Sequence, residues 1–317
     1  MSGSPSIDNL GVLVNSGYEI DLGLNEIFRN PKGFDMSIAA HIAFNQNKVK
    51  SLPPDYGGIY RVSQPGGRQG LIGIVARQGR QAFEYWLYDY KKDTRGKTVI
   101  DPQTGYPVPD LETPVYTGNT TPKYVGAFNL KFFYRHFSLS TLNEFNIGGS
   151  HYFARAENMT RGGLEVITTY NDRNPYVFPN AVYLDANGKS VPNTSIKTQA
   201  VNSALFNNMA FNSTQFLANS SYLRMRELVL NYEQTFKARS IKRLNIGVYG
   251  RNLLNFYAKS NIYGDPQMIK GPGRYSQGIA QSGASNGNGR GVATGAGSDT
   301  NTPPGIVEYG VILSANF

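Results

Sequence analysis

The sequence predicts an all-β fold whose antiparallel strands cross an outer membrane as part of a β-barrel. Three observations predict it. Seven segments carry an apolar residue at every second position, short and long connections alternate between them, and the chain ends on an aromatic residue, Phe317. Alternation with a period of two indicates strands whose faces meet different surroundings. A transmembrane helix is excluded, because no run of about 18 apolar residues occurs.

The predicted strands differ in how regular their alternation is. The segment that starts at Phe34 is the clearest, with Met36 and Ile38 on the face opposite Asp35 and Ser37. The terminal segment alternates well except at Ile312, and the first segment except at Glu26. The predicted ranges are about 17–28, 34–48, 124–134, 137–148, 221–233, 244–256 and 307–317.

One strand carries charges on its apolar side. In 221–233, Arg224 and Arg226 fall on the same face as Leu228 and Leu230 if the alternation is uninterrupted. Arginine facing lipid at mid-depth is costly, so Arg224, Arg226 and, on the next strand, Arg251 are expected at a lumenal face or a membrane boundary.

The connections indicate how the strands are oriented. Short connections are predicted at 29–33, 135–136 and 234–243, and long ones at about 49–123, 150–220 and 257–304. Tight periplasmic turns that alternate with long extracellular loops are typical of outer-membrane barrels, whereas a soluble sandwich spreads its loop lengths more evenly. The whole chain is therefore interpreted as one part of a barrel domain, with three extracellular loops. Residues 82–92 are left open as an extracellular hairpin or an eighth strand.

Composition narrows the possible functions. The formal net charge is +9 and cysteine is absent, so disulfides and thiol chemistry are excluded. The densest basic cluster is Lys237, Arg239, Lys242 and Arg243, and it borders a strand without any nucleic-acid-binding motif. No nucleic-acid partner is predicted.

No catalytic constellation is found, and no enzyme activity, cofactor or metal is predicted. His41, His136 and His151 do not have metal-ligand spacing, and G-x-S-x-G and P-loop sequences are missing. The glycine-rich residues 287–291 (GNGRG) resemble a phosphate cradle, but they lie in a predicted loop within 278–302 with no helix after it. Glu19 and Asp21, two residues apart, are expected to line a wet lumen rather than act as an acid–base pair.

Aromatic residues in 82–92 offer the one candidate for substrate contact. Tyr85, Trp86, Tyr88 and Tyr90 could stack on sugar rings near the extracellular mouth. Packing within a loop or at the membrane boundary is the favoured alternative.

Several stretches resemble the SusC/RagA-type TonB-dependent outer-membrane transporters. The most specific is residues 248–256 (VYGRNLLNF), similar to the family's V-x-G-x-N-L-x-x-F pattern in the penultimate strand. Order and spacing agree across nearly the whole chain for the other stretches, which are residues 14–20 (VNSGYEI), 44–49 (FNQNKV), 121–126 (TPKYVG), 147–149 (IGG) and 219–228 (NSSYLRMREL).

The resemblance implies a 22-stranded barrel of the Gram-negative outer membrane with an N-terminal plug. Such a barrel imports oligosaccharides or peptides, is energised through TonB and is capped by a SusD-type surface lipoprotein. The chain has only about seven strands and no plug, and seven strands cannot close a wide barrel. It is expected to be the C-terminal portion of the barrel. The remaining strands and plug, with the TonB contact, would come from the same longer polypeptide or a separate chain.

Further expectations follow from this placement. Tyr309, Val311, Leu313 and Phe317 would form the C-terminal signal that the barrel-assembly machinery reads, and the apolar face would contact outer-membrane lipid. The alternative function is that of a SusC-like barrel that acts as a structural or assembly scaffold for other envelope proteins.

Overall fold

A computed structural model describes residues 11–28, 33–63, 72–237, 241–267 and 305–317. The predictions on 29–32, Arg239, 278–302 and 287–291 lie outside these ranges. The strands within them are, in chain order, β1 (Val12–Leu24), β2 (Phe34–Ser51), β3 (Ile59–Ser63), β4 (Gly73–Arg77), β5 (Glu84–Tyr90), β6 (Thr98–Val99), β7 (Pro109–Asn119), β8 (Tyr124–Tyr134), β9 (Phe137–Ile147), β10 (Ser150–Tyr152), β11 (Ala181–Leu184), β12 (Ser190–Pro192), β13 (Leu217–Asn219), β14 (Tyr222–Thr235), β15 (Arg243–Tyr257) and β16 (Glu308–Asn316).

The largest element is a seven-stranded antiparallel sheet in the order β1-β2-β8-β9-β14-β15-β16. Each strand pairs with the strands that come before and after it within the sheet, as expected for an up-and-down barrel wall. The prediction of an all-β fold with seven antiparallel strands is thus confirmed.

The first strand lies further toward the N-terminus than 17–28. It begins at Val12, because β2 continues to Ser51 and its residues 38–51 pair with the whole of β1. It ends at Leu24 because Glu26 adopts a left-handed conformation with a φ of 51°. That conformation stops the extended backbone and begins the turn back to β2.

The two faces of the sheet are chemically opposite. Ile38 of β2 pairs with Leu24 on one side and Leu130 on the other, and this face is apolar across β1, β2 and β8, while β9 adds Thr141 and Asn143 to it. On the other face, Asp21 pairs with His41, and Lys131 lies between Ser37 and Ser140. The alternation read from the sequence therefore corresponds to two real surfaces.

Aromatic rings mark two levels on the apolar face. At the end that leads into the long connections, Phe44 stacks with Tyr18 at 5.1 Å and contacts Tyr124 at 5.3 Å between ring centroids. Phe34 lies at the opposite end of β2, and at the same end of the sheet the rings of Phe137 on β9 and Tyr232 on β14 lie 5.0 Å apart between centroids. The ten steps from Phe34 to Phe44 rise about 26 Å at a tilt of roughly 40°, close to the height of a barrel's apolar band.

A β-bulge in β14 corrects the predicted face of its arginines. The register shifts between Met225 and Glu227, so Arg226 is the extra residue and the alternation slips by one. Glu144 therefore pairs with Arg224 on the polar face, while Leu223 and Met225 take the apolar side. The prediction that Arg224 and Arg226 lie on the same face as Leu228 and Leu230 was wrong, because it assumed an unbroken period of two.

The described residues of the long connections 49–123 and 150–220 are folded rather than structureless. They contain a four-stranded sheet (β3-β4-β5-β7), a three-stranded sheet (β12-β11-β6) and the pair β10-β13. The described part also contains two α-helices, α1 (Ala154–Arg161) and α2 (Ser203–Met209), and short 3₁₀ turns at Pro54–Tyr56, at Ser213–Phe216 and within Val166–Arg173, where a non-helical kink at 170–172 interrupts them. The open question on 82–92 is resolved, because β5 lies inside the four-stranded sheet and not in the large one.

These connections fold because they bury a core of their own. Ile74 and Tyr85 of the four-stranded sheet pack with Tyr152, Phe153 and Phe216 from the second long connection, and all of them are almost completely buried. Sequestering side chains of this size provides the main stabilising free energy of a small globular unit. No helix in the described part of the chain is long and apolar enough to cross a bilayer.

Candidate functional site

The polar face carries a network of charged side chains at the end of the sheet that meets the long connections. We call it the lumenal cluster, after the lumenal face that the sequence predicts for its arginines. It comprises Glu144 from β9, Tyr222, Arg224 and Arg226 from β14, and Asp265 and Gln267 from the segment after β15. The bulge at Arg226 brings the two arginines to the polar face, because in an uninterrupted strand both would lie on the apolar face with Leu228 and Leu230.

Glu144 is the centre of the cluster. Its Oε1 atom accepts hydrogen bonds from Arg226 Nη2 at 2.6 Å, Gln267 Nε2 at 2.8 Å and the Tyr222 hydroxyl at 3.0 Å. Because these donors already occupy that oxygen, the carboxylate holds the three side chains in place. It is poorly suited to accept a proton from a substrate.

Arg224 is the most deeply buried charge of the cluster. Its side chain is 4% exposed, and it donates to Asp265 Oδ2 at 2.5 Å and to Gln267 Oε1 at 2.6 Å. Gln267 also receives a hydrogen bond from Arg226 at 2.7 Å. The two guanidinium groups are thus matched by two carboxylates, and the segment that carries Asp265 and Gln267 is tied to the wall of the sheet.

A second, more exposed ionic row lies on the same face. Arg251 Nε donates to Glu227 Oε2 at 3.0 Å, and its Nη1 lies 3.7 Å from Glu308 Oε2. The side chain of Arg251 is 51% exposed, so solvent weakens these pairs. Arg224, Arg226 and Arg251, the arginines expected at a lumenal face or a membrane boundary, therefore all lie on the polar face with carboxylate partners.

Of the cluster, the sequence indicated only Arg224 and Arg226. Glu144, Asp265 and Gln267 gave no signal, because one polar residue on a strand and two in a turn are unremarkable by themselves. Charged residues that interrupt an alternating strand are the clue that a bulge and polar partners must be present.

The aromatic candidates for substrate contact lie in the core of the folded connections. Tyr85 is fully buried and donates to the Ser150 carbonyl at 3.2 Å, and Tyr88 and Tyr90 are also buried. Trp86 is half-buried, with the Arg61 guanidinium carbon 3.8 Å from the centre of its ring. These contacts favour packing, and substrate contact by the four residues stays a prediction.

The histidines occupy three different surroundings. His41 Nδ1 lies 2.7 Å from Asp21 Oδ1 on the polar face, and His136 Nδ1 lies 3.0 Å from the Glu233 carbonyl in a turn. His151 is 1% exposed, and burial lowers its pKa to about 3. Within the described ranges, no group of three or more His, Asp or Glu side chains is arranged to hold a metal ion.

The last strand presents the residues of the expected assembly signal on one surface. Tyr309, Val311, Leu313 and Phe317 are all more than 70% exposed, and the first three pair with the apolar side of β15. Nearby, Lys242 of the basic cluster donates to the Phe317 carbonyl at 3.3 Å. Recognition by the assembly machinery stays a prediction.

The fold of this chain is also found in solved transporter structures. The chain is similar to a chain of the structure described as the RagAB peptide transporter, with a TM-score of 0.57 and 18% identity over 96% of this chain. It is likewise similar to the RagAB peptide importer in the closed-closed state, with a TM-score of 0.54 and 17% identity over 96% of this chain. No protein-family model matches the chain, and no curated protein matches it.

These similarities show the fold. The chain spans about three tenths of the length of those transporter chains, because each match covers 29% of that chain. The expectation that the chain resembles a portion of a RagA-type transporter is confirmed at this level.

Proposed function

We propose that the chain forms part of the barrel wall and the extracellular surface of an outer-membrane transporter that imports peptides or oligosaccharides. The observation that carries the proposal is the two-faced sheet of this fold. One face is largely apolar between two aromatic levels about 26 Å apart, as a lipid-facing wall requires, and two polar residues of β9 on it, Thr141 and Asn143, hydrogen-bond to each other. The other carries Asp21, Lys131 and the lumenal cluster, as a water-filled lumen requires.

In this arrangement the seven strands are the C-terminal part of the barrel, and β16 carries the assembly signal. The folded connections lie outside the cell, above the aromatic level of Phe44. The remaining strands and the plug, which would contact TonB, come from the rest of the transporter. A SusD-type surface lipoprotein covers the extracellular side, by analogy with RagAB, in which a RagA-type barrel is combined with the surface lipoprotein RagB.

Substrate import is tested in cells that produce the complete transporter, with a strain that lacks it as the reference. We expect uptake of a fluorescent peptide mixture to require both the transporter and TonB, and to stop when the proton gradient is dissipated. A mixture of labelled oligosaccharides distinguishes the two substrate classes.

A scaffold function gives a different outcome. Uptake of both mixtures would then be unaffected by the loss of the protein, while the amounts of other outer-membrane proteins would fall. That combination would refute import.

A further inference from the structure

A polar crevice opens on the wall just above the upper aromatic level. The pairing of β2 with β8 ends at Phe44 and Tyr124, while β2 continues to Ser51 beside β1 alone. The strands separate at this point and leave a crevice of about 440 Å³. We call it the rim crevice, and the rings of Tyr18, Phe44 and Tyr124 form part of its lining.

The other sides of the rim crevice are amide and hydroxyl groups. Gln46 continues from Phe44 on β2, and Thr121 comes from the segment that leads into β8. Asn119 also lines the crevice, but its amide donates to the Ala82 carbonyl at 2.6 Å and accepts from the Thr121 N–H at 2.8 Å. Amides and hydroxyls both donate and accept hydrogen bonds, which suits them to the hydroxyl groups of a sugar.

One lysine lines the crevice, and two more follow its lining residues along β2. Lys123 lines it, is exposed and lies 5.5 Å from the centre of the Tyr124 ring. Lys48 follows Phe44 on the same face of β2, four residues further along the strand. Lys50 is the extra residue of a bulge opposite Val12 and Leu13, so the alternation does not extend to it. None of the three forms an ion pair with a carboxylate of the described residues.

The acidic residues nearby do not neutralise this charge. The apolar face of β1 and β2 carries no Asp or Glu. Glu84, which pairs with Asn119 across the strands, is held by Arg77 through two hydrogen bonds of 2.7 and 2.9 Å. The crevice therefore has an excess of positive charge that a bound anion would balance.

We infer that the rim crevice binds the phosphorylated sugar headgroup of an outer-leaflet glycolipid. The inference uses the membrane placement given under the proposed function. Going down the wall, lysines would contact the phosphates and amides the sugar hydroxyls. The stacked rings and then Ile42 and Ile20 would contact the acyl chains. Lysine beside an aromatic belt is a common way to hold anionic lipid. Only a molecule that has phosphates, a sugar and acyl chains makes all of these contacts at once.

The test measures binding of bisphosphorylated lipid A to the complete transporter in detergent, by native mass spectrometry with increasing lipid. In the variant Lys48→Gln/Lys123→Gln we expect affinity to fall about tenfold for each lysine removed, because each loses a charge-assisted contact. Lys131→Gln is the matched control. It removes a lysine from the opposite face of β8 and should leave lipid binding unchanged.

Three results would overturn the inference. They are equal affinity for a dephosphorylated lipid A, displacement by inorganic phosphate at the same concentration as the lipid, and unchanged binding in the double variant. Folding of each variant is checked by the shift of the unboiled protein on a denaturing gel. Peptide uptake is measured on the Lys48→Gln/Lys123→Gln variant, and since these two lysines lie outside the lumen it should be unaffected. Failure of import and failure of lipid binding are thus seen separately.

Discussion

Replacing Ile38 by arginine tests the assignment of the two faces most directly. Ile38 lies on the apolar face between Leu24 and Leu130, four residues from Phe34 and six from Phe44. At a rise of about 3.4 Å per residue and a tilt of roughly 40°, it is about 10 Å from one aromatic level and 16 Å from the other. It is therefore close to the middle of the apolar band.

The expected cost follows from this depth. An arginine at the midplane of a lipid-facing barrel strand costs about 2 to 4 kcal/mol, and the lost contacts of the isoleucine add roughly 1 kcal/mol. The sum is about 3 to 5 kcal/mol, a large fraction of the stability of an ordinary protein. We expect a clear loss of folded protein in the outer membrane.

The assay compares the outer-membrane yield and the unboiled gel shift of the complete transporter with those of the variants. Ala39→Arg is the matched control, because Ala39 lies on the polar face opposite Gly23 and Asn129. No atom lies within 4 Å of a Cβ built at Gly23, so there is space for the new side chain. Replacement of Ser37 by asparagine should also be tolerated. Equal yields for Ile38→Arg and Ala39→Arg would refute the assignment of the faces.

Two further predictions concern the lumenal cluster and the folded connections. Arg226→Gln should lower the protection of residues 258–267 in hydrogen exchange by about 2 kcal/mol, because Glu144 loses its guanidinium partner. Arg251→Gln, at a 51% exposed site, should change local protection by less than about 1 kcal/mol, and equal effects would contradict the distinction. The pKa of His151 is about 3 when folded, below its ordinary value, so the proton binds better to the unfolded chain and stability falls as the pH drops below about 6.5. From pH 7 to 5 the free energy of unfolding falls by about 2 kcal/mol. In the variant His151→Phe this pH dependence should disappear, as measured by hydrogen exchange of the surrounding core. A pH dependence that is the same in the variant would contradict the prediction.

The sequence was sufficient where one physical rule acted alone. In β2 the alternation of Met36 and Ile38 with Asp35 and Ser37 has a single cause, the different surroundings of the two faces, so strand and face were both predictable. The end of β1 was less so, because nothing local shows that Glu26 adopts a positive φ.

The long connections could not be predicted for a different reason. Tyr85 and Leu87 of β5 are both buried, and they pack against Tyr152 and Phe216, which lie far away along the chain. A core assembled from two separate connections leaves no periodic pattern in either. From the sequence, the aromatic residues of 82–92 were therefore candidates for an exposed surface. In the fold the three tyrosines are buried, and only Trp86 of the four is partly exposed.

The bulge in β14 explains both why arginines occur in an alternating strand and how the lumenal cluster is assembled. Without it, Arg224 would lie on the apolar face, where an arginine costs about 2 to 4 kcal/mol at mid-depth and less near the rim. The one-residue slip instead places Arg224 against Asp265, and Arg226 against Glu144, on the polar face. Because the same slip also supplies the partners of Gln267, the segment after β15 is held to β9 and β14 by charge-assisted hydrogen bonds. We therefore expect this segment to move with the wall, so that any opening of the extracellular mouth must hinge outside residues 258–267.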